Sequence, residues 1–444
     1  MFTNKKIFIL GFARSGYEAG KLLIKRNNEV LINDGKQEEA HDSIKINELK
    51  DLGCDFFFGS HPVDLLDDSF DYLIKNPGIR NDHMYVLKAK ELGIPIINEV
   101  ELAYKLLPDD ITLIGITGTN GKTTTTTLTY EILHRAYGDR VHLTGNIGYP
   151  LCSTLEKLRK NDIVVMEVSC QQSENIKDFH PDIALITNFS PAHIDFFGTY
   201  ENYKRVKSKM FYNQTDKNIA ILNGENEDVL KELDGIKSSK RYFNGNGDCY
   251  LCDNAIYYLN EKVIDVNIVK IPGHHNLENC MAAISIAKQL GVTNSVIEEV
   301  ISGFIGVTHR LEFVREVNGV RYYNDTEATN IKCTQIALSS FTKPTIIILG
   351  GLERGQNFDD LAPFIKNVKA IIGIGECRNR VLEFGNKNQI NTYIYEYLET
   401  GFEKIKEIVQ FGDIVLLSPA SASWDQYKEC EVRGDEFKQL VNKL

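Results

Sequence analysis

Residues Ile111 to Leu128, ITLIGITGTNGKTTTTTL, constrain this chain more than any other stretch. An apolar, β-branched run (Ile111 to Ile116) meets a turn containing Gly118 and Gly121, then Lys122 and five threonines. That order reads as strand, turn and helix N-terminus. Turn N–H groups and the positive end of a helix both favour an anion. Gly118, Thr119, Asn120, Gly121, Thr123 and Thr124 form the candidate phosphate cradle. Lys122 would reach the outer phosphates, and the Thr123 hydroxyl would sit on Mg²⁺. The strict phosphate-loop spacing asks for glycine where the chain has Ile116. The bland alternative is an ordinary strand-to-helix turn with a surface lysine.

A chain of 444 residues predicts about three domains. Its 43% hydrophobic and 25% charged residues fit an ordinary globular protein. The net charge of −11 argues against nucleic acid as a partner. No stretch approaches the roughly 18 apolar residues of a membrane span, so no membrane insertion is expected. The N-terminus runs from two lysines into a strand without a signal-like segment, and the nine cysteines are scattered. Both features predict a cytoplasmic protein with reduced thiols. Cys249 and Cys252 form one CxxC without a second pair, which favours packing over zinc or redox use.

Taken in order, Lys6 to Leu10 predicts a strand, followed by Gly11-Phe12-Ala13-Arg14-Ser15-Gly16, a helix and a second strand ending at Asp34. Strand, small-residue turn, helix, strand and acid outline a dinucleotide-type half-fold. Ala13 replaces the middle glycine, so the turn suits a nucleotide diphosphate better than NAD. Asp71 to Lys75 is a further strand, followed by the turn Asn76-Pro77-Gly78. Pro108 to Asp110 reads as a linker.

Strands and helices then alternate, which predicts a parallel sheet. Gly145-Asn146-Ile147-Gly148 is a tight turn carrying one amide side chain. Glu167 lies near the end of the apolar run Asp162 to Val168, and buried acids are paired or bound to metal. His193 follows the strand Asp182 to Asn188, where open α/β sheets bind ligands. It reads either as an incidental loop histidine or as a site residue. Helix Tyr200 to Tyr212 carries a stripe of Tyr203, Val206, Lys207 and Met210. Lys207 reads either as a snorkelling lysine or as an amine neutralised by burial and able to add CO₂ as a carbamate. Residues 218 to 270 read as a β-rich insertion, Asn276 and Asn279 as part of a helix start, and Gly306 to Glu312 as a hinge. The third unit places Asp325, Gly350-Gly351 and Ser418 to Asp425 at strand ends.

The expected fold is α/β with three domains. A Rossmann-like N-terminal domain spans 1–107. A central P-loop ATPase-like parallel sheet with a β-rich insertion spans 108–307, and a Rossmann-like C-terminal domain spans 308–444. The residues suit phosphoryl transfer to a carboxylate followed by capture by an amine. Spacing alone does not separate that from simple ATP hydrolysis.

GITGTNGKTT, GNIG, the acid-bearing strand at Glu167, Pro-Ala-His-Ile-Asp, Tyr203 to Lys207, His275-Asn276 with Asn279, His309 to Glu312 and Asn324-Asp325 with Ala328-Thr329-Asn330 together resemble the Mur ligase family. The match covers nearly the whole chain. Within the family, GFARSG, NPGI and SPASASWDQY most resemble the D-glutamate-adding branch. The resemblance implies an ATP-dependent ligase joining D-glutamate to UDP-N-acetylmuramoyl-L-alanine in peptidoglycan precursor synthesis, with ATP and two Mg²⁺ ions, working as a monomer. The alternatives are another Mur-type ligase or a folylpolyglutamate synthetase, and, outside enzymes, a non-catalytic nucleotide-sugar-binding paralogue.

The resemblance also implies residue roles. The loop Gly118 to Thr124 holds the ATP phosphates. Glu167, the Lys207 carbamate and Thr123 hold Mg²⁺, with Asn146 and His193 near the acyl phosphate and second metal. Asn279, Arg310 and Asp325 contact the nucleotide. Ala13, Arg14, Ser15, Asp34, Gly78 and Ser169 line the acceptor pocket, and Thr329, Arg354 and Ser423 hold D-glutamate. The chain departs from the family at Cys170-Gln171, at Arg354, where many members carry lysine, and at Cys430, where many carry phenylalanine.

Overall fold

The computed structural model describes residues 2–444. Three sheets carry the chain. The first is built from β1 (Lys6–Leu10), β2 (Glu29–Asp34), β3 (Asp55–Phe58), β4 (Tyr72–Lys75) and β5 (Ile96–Ile97). Its order is β3-β2-β1-β4-β5, with every pair parallel. Ile7, Phe8, Ile9 and Leu10 are all buried, as expected of a central strand covered on both faces.

The second sheet contains β6 (Thr112–Thr117), β7 (Val141–Gly145), β8 (Ile163–Glu167), β9 (Ile183–Ile186), β10 (Ile219–Asn223), β11 (Ser239–Phe243), β12 (Cys249–Cys252), β13 (Ala255–Tyr258) and β14 (Glu261–Asp265). Their order is β14-β13-β12-β11-β10-β9-β6-β8-β7. The run from β7 to β11 is parallel, and β12 and β13 pair antiparallel. The strands expected as an insertion therefore continue this sheet, because β10 hydrogen-bonds directly to β9. Cys249 and Cys252 lie on one strand, the first buried and the second exposed.

The third sheet contains β15 (Glu312–Val317), β16 (Val320–Asn324), β17 (Thr345–Gly350), β18 (Val368–Ile374), β19 (Asn391–Ile394) and β20 (Ile414–Leu417). Its order is β15-β16-β20-β17-β18-β19, antiparallel only at the β15–β16 hairpin.

The chain divides into two compact units, residues 1–264 with 278–300 and residues 265–277 with 301–444. The first unit holds the first sheet and the second sheet up to Ile264. Polar groups join them where the sequence suggested a linker. The Glu101 carboxylate, fully buried, accepts the N–H groups of Lys177 (2.8 Å), Asp178 (3.0 Å) and Phe179 (3.0 Å) and pairs with Lys105 at 3.2 Å. Glu99, also buried, accepts the Cys152 N–H at 2.5 Å, and burial pushes its carboxyl up to about 7. Among the described residues no helix is long and apolar enough to cross a membrane.

Candidate active site

The C-terminal ends of β6, β8, β7 and β9 converge. Ile116 pairs with Glu167, and Gly145 pairs with the same Glu167 from the other side. Parallel sheets gather ligands at this edge. The loop after β6 opens helix Lys122–Tyr137, with Gly121 as its N-cap at φ 80°. Gly118 has φ 145°, and a Cβ there would overlap Thr187 Oγ1, so both position and space require glycine. The loop is tied down by the next strand end. Thr119 N–H donates to Asn188 O (2.8 Å) and Asn120 N–H to Asn188 Oδ1 (3.0 Å). The Thr187 hydroxyl donates to Asn120 O (2.6 Å). Lys122 folds back over the loop, its Nζ donating to Thr119 O at 2.9 Å. Thr123 and Thr124 lie half-buried in the first helical turn, where N–H groups lack intrahelical partners. Asn279 in the same unit accepts the Thr125 hydroxyl at 3.2 Å and faces Gly121.

Behind the loop lie two buried ionisable groups. Glu167 is 1% exposed: its Oε1 accepts Asn146 Nδ2 at 2.7 Å, while its Oε2 has no hydrogen-bond partner among the described residues. A buried carboxylate oxygen left without a donor fits a cation ligand. Lys207, also 1% exposed, comes from helix Tyr200–Tyr212, which Thr199 caps by accepting the Asn202 N–H. The stripe of Tyr203, Val206, Lys207 and Met210 is buried together. Lys207 Nζ donates to Thr117 Oγ1 at 3.3 Å and lies 5.2 Å from the Tyr203 ring centroid. Burial, then the charge of Lys122, brings its pKa down to about 7, opposed by Cys170 and Glu167. Lys204 is buried and Lys209 half-buried, but Lys204 pairs with Asp228 at 2.9 Å and Lys209 donates to Glu174 O.

His193 stands at φ 52° at the start of the short helix Ile194–Phe197, on the exposed rim. Desolvation, then the charges of Lys207 and Lys122, lowers its pKa. The same two lysines act on the Cys170 thiol, which burial pushes up to about 11. Lys122, Glu167, Lys207 and His193 thus form one electrostatic cluster.

A cavity of about 370 Å³ adjoins it, lined among others by Arg14, Ser15, Gly78, Asn146, Ser169 and Gln171. Residues of the first and second sheets therefore meet across one space. The Arg14 guanidinium reaches Gly148 O (3.2 Å) and Asn146 O (3.4 Å). Ser169 also caps the helix Cys170–Glu174 through a capping box with Gln172. Ala13 is the N-cap of helix Arg14–Ile24. Asp34 is engaged by its own chain, accepting Phe12 N–H (2.7 Å) and Lys36 N–H (2.9 Å).

In the second unit, Asp325 is buried and accepts the Leu311 N–H (3.1 Å) and the Ser418 hydroxyl (2.8 Å). Burial pushes its carboxyl up to about 7 against those bonds. Arg310 is exposed and contacts Glu327 at 3.4 Å. Thr329 precedes helix Ile331–Ser339, which Asn330 caps. Arg354 is exposed, its guanidinium 4.5 Å from the Trp424 ring centroid. Ser423 is buried, and its hydroxyl has no partner among the described residues. Cys430 gathers with Glu327 and Glu431.

The sequence reading passed over Thr117, Thr187 and Asn188. Each is a small polar residue at the end of β6 or just beyond β9, the same positional signal that singled out His193.

A glycine-bearing anion loop, a buried acid and a buried lysine at one sheet edge define a phosphate-loop enzyme. A profile of the Mur ligase middle domain matches residues 116–287. The chain is 42% identical over 451 residues to UDP-N-acetylmuramoylalanine–D-glutamate ligase of Bacillus cereus, covering 100% of this chain and 98% of that one. Its fold is similar to UDP-N-acetylmuramate-alanine ligase from Thermotoga maritima (TM-score 0.60, 18% identity, 99% of each chain). It is similar as well to the MurF ligase of that organism solved with ADP (TM-score 0.60, 17% identity, 94% of this chain and 95% of that one). The chain belongs to the Mur ligase family, the ATP-dependent amide ligases.

Proposed function

We propose that this ligase joins D-glutamate to UDP-N-acetylmuramoyl-L-alanine at the expense of ATP, acting as a monomer in the cytoplasm. The observation that carries the reading is Asn146, which lines the cavity with Arg14 and Gly78 and bonds Glu167 in the cluster with Lys122 and Lys207. The full-length relative of that name supports the choice of substrates.

The residues divide the work. The loop Gly118 to Thr124 and Lys122 hold the triphosphate, with Asn279, Arg310 and Asp325 on the rest of the nucleotide. Arg14, Ser15, Ala13, Asp34, Gly78 and Ser169 hold the UDP-sugar and aim its terminal carboxylate at the γ-phosphorus. A carboxylate oxygen attacks, and the bond from phosphorus to the ADP oxygen breaks. The amino group of D-glutamate then attacks the acyl carbon, phosphate leaves, and the amine gives up a proton. Thr329, Arg354 and Ser423 hold D-glutamate. Arg354 offers a bidentate clamp where a lysine would offer a point charge.

The donor set fits magnesium. Glu167 brings an unpartnered buried oxygen, Thr123 a hydroxyl and His193 an imidazole with depressed pKa. Lys207, as its neutral amine, adds CO₂: the nitrogen lone pair forms a C–N bond, a proton leaves, and the resulting carbamate supplies the remaining anionic oxygen. Bound magnesium would neutralise the charge that gathers on the phosphate oxygens.

The test crosses UDP-sugar acceptors with candidate amino acids and measures phosphate release from ATP. Release should require both UDP-N-acetylmuramoyl-L-alanine and D-glutamate. Equal turnover with L-lysine or meso-diaminopimelate would move the chain to a sister ligase, and turnover with a folate in place of the UDP-sugar would move it to folylpolyglutamate synthesis.

A further inference from the structure

Lys75 ends β4, the strand that leads into the acceptor turn Asn76-Pro77-Gly78. Its side chain is fully buried. The ammonium donates to Ile79 O, closing the turn from below, and pairs with Glu174 Oε2 at 3.0 Å. Burial lowers the Lys75 pKa, and Glu174 opposes that loss. Glu174 ends the helix Cys170–Glu174, which begins three residues after Glu167 and whose cap, Ser169, lines the cavity. The backbone carbonyl of Glu174 in turn accepts Lys209, on the helix that carries Lys207. The same short helix receives Asn98 Nδ2 on Gln172 O.

One residue therefore touches both sides of the reaction. Through its carboxylate Glu174 holds the floor of the acceptor turn, and through its carbonyl it holds the helix of the buried lysine. We propose that Lys75 and Glu174 are a positioning pair that fixes the distance from the acceptor cradle to the phosphoryl-transfer centre. The pair touches no reactant. It acts by keeping the acceptor carboxylate in line with the γ-phosphate, a register in which a displacement of about 1 Å costs about 100-fold in rate. A buried ion pair is poor value as stabilisation alone, since similar apolar residues do as well, and its presence here fits a geometric duty.

This inference rests on the proposed ligation, so the experiment runs the unaltered enzyme beside the variants. Lys75→Met keeps the stem and removes the ammonium. Glu174→Ala breaks the pair from its more open side and leaves the lysine on Ile79 O. Turnover with saturating substrates is measured per folded molecule, and binding of UDP-N-acetylmuramoyl-L-alanine by calorimetry. The expected result is a kcat about 10- to 100-fold lower with the acceptor Kd changed by less than about threefold. A kcat equal to that of the parent overturns the proposal. Weakened acceptor binding at unchanged kcat also overturns it, because the pair would then serve the cradle alone. If Lys75→Met fails to fold, Glu174→Ala decides by the same two readings. Absence of turnover in the parent enzyme itself would strike the substrate assignment instead.

Discussion

Lys207 offers the sharpest test. An ordinary lysine titrates near 10.5, whereas burial and Lys122 bring this one to about 7. At pH 7 about half the side chain is therefore amine, against roughly one part in 3,000 for an unperturbed lysine. The difference, some 3.5 decades, corresponds to about 5 kcal/mol in favour of the form that reacts with CO₂. The sign for folding follows: between pH 7 and 10.5 the unfolded chain binds the extra proton, so this residue makes stability rise with pH across that window. Carbamate formation should fall away as pH drops below about 7 and recover with added bicarbonate. With ¹³C-labelled bicarbonate, one carbamate resonance should be present at pH 8, weaken toward pH 6 and be missing from Lys207→Ala. The variant should lose at least about 100-fold in phosphate release, since supporting groups around metal ligands alone cost 10- to 100-fold. Acetate or propionate should restore part of it. A missing resonance at pH 8 in saturating bicarbonate, or a variant with more than a tenth of parental activity, would refute the reasoning.

Gly118→Ala should raise KM for ATP and lower the melting temperature, because φ 145° and the Thr187 hydroxyl leave no room for a methyl group; the strain is about 1–3 kcal/mol, and an unchanged melting curve would contradict it. Glu101→Ala should cost about 3–5 kcal/mol in urea unfolding by leaving three loop N–H groups without their acceptor, Lys105 keeping Asp178, and a loss below about 1 kcal/mol would show the clamp to be dispensable. For Asp325, the folded carboxyl stays protonated up to about 7 while the unfolded one ionises near 3.8, so its contribution to stability falls as pH rises through that interval. Asp325→Asn should therefore gain in relative melting temperature between pH 4 and 7, and a parallel pair of curves would count against the burial argument.

Much of the fold is legible in the sequence because buried parallel strands are short apolar runs. Val320–Asn324 and helix Tyr200–Tyr212 lie where the pattern puts them. Asp55–Phe58, which is partly exposed, and Val141–Gly145, buried at Val141, Thr144 and Gly145, escape it, since neither has a clean period. Residues 218 to 270 read only as a β-rich insertion because hydrogen-bond partners of a strand leave no local trace; the structure shows β10 beside β9. The polar joint ahead of Pro108 is not legible for a related reason. Glu99 and Glu101 look like surface acids on a helix, and their burial depends on Cys152 and the 177–179 loop, far along the chain. In the site, Glu167 and Lys207 are readable because a charge within an apolar stripe demands explanation. Thr117 and Asn188 are not, because a small polar residue at a strand end is common everywhere.

Asn188 has a consequence for selectivity. By gripping Thr119 and Asn120 it holds the proposed phosphate loop in place, so a nucleotide bound there would escape most of the roughly 1–2 kcal/mol per residue otherwise needed to freeze a mobile segment. On the proposed reading, such a ready-made loop would greet any triphosphate alike. Preference for adenine over guanine must then be exercised at the far end of the nucleotide, by groups that meet the base and the ribose.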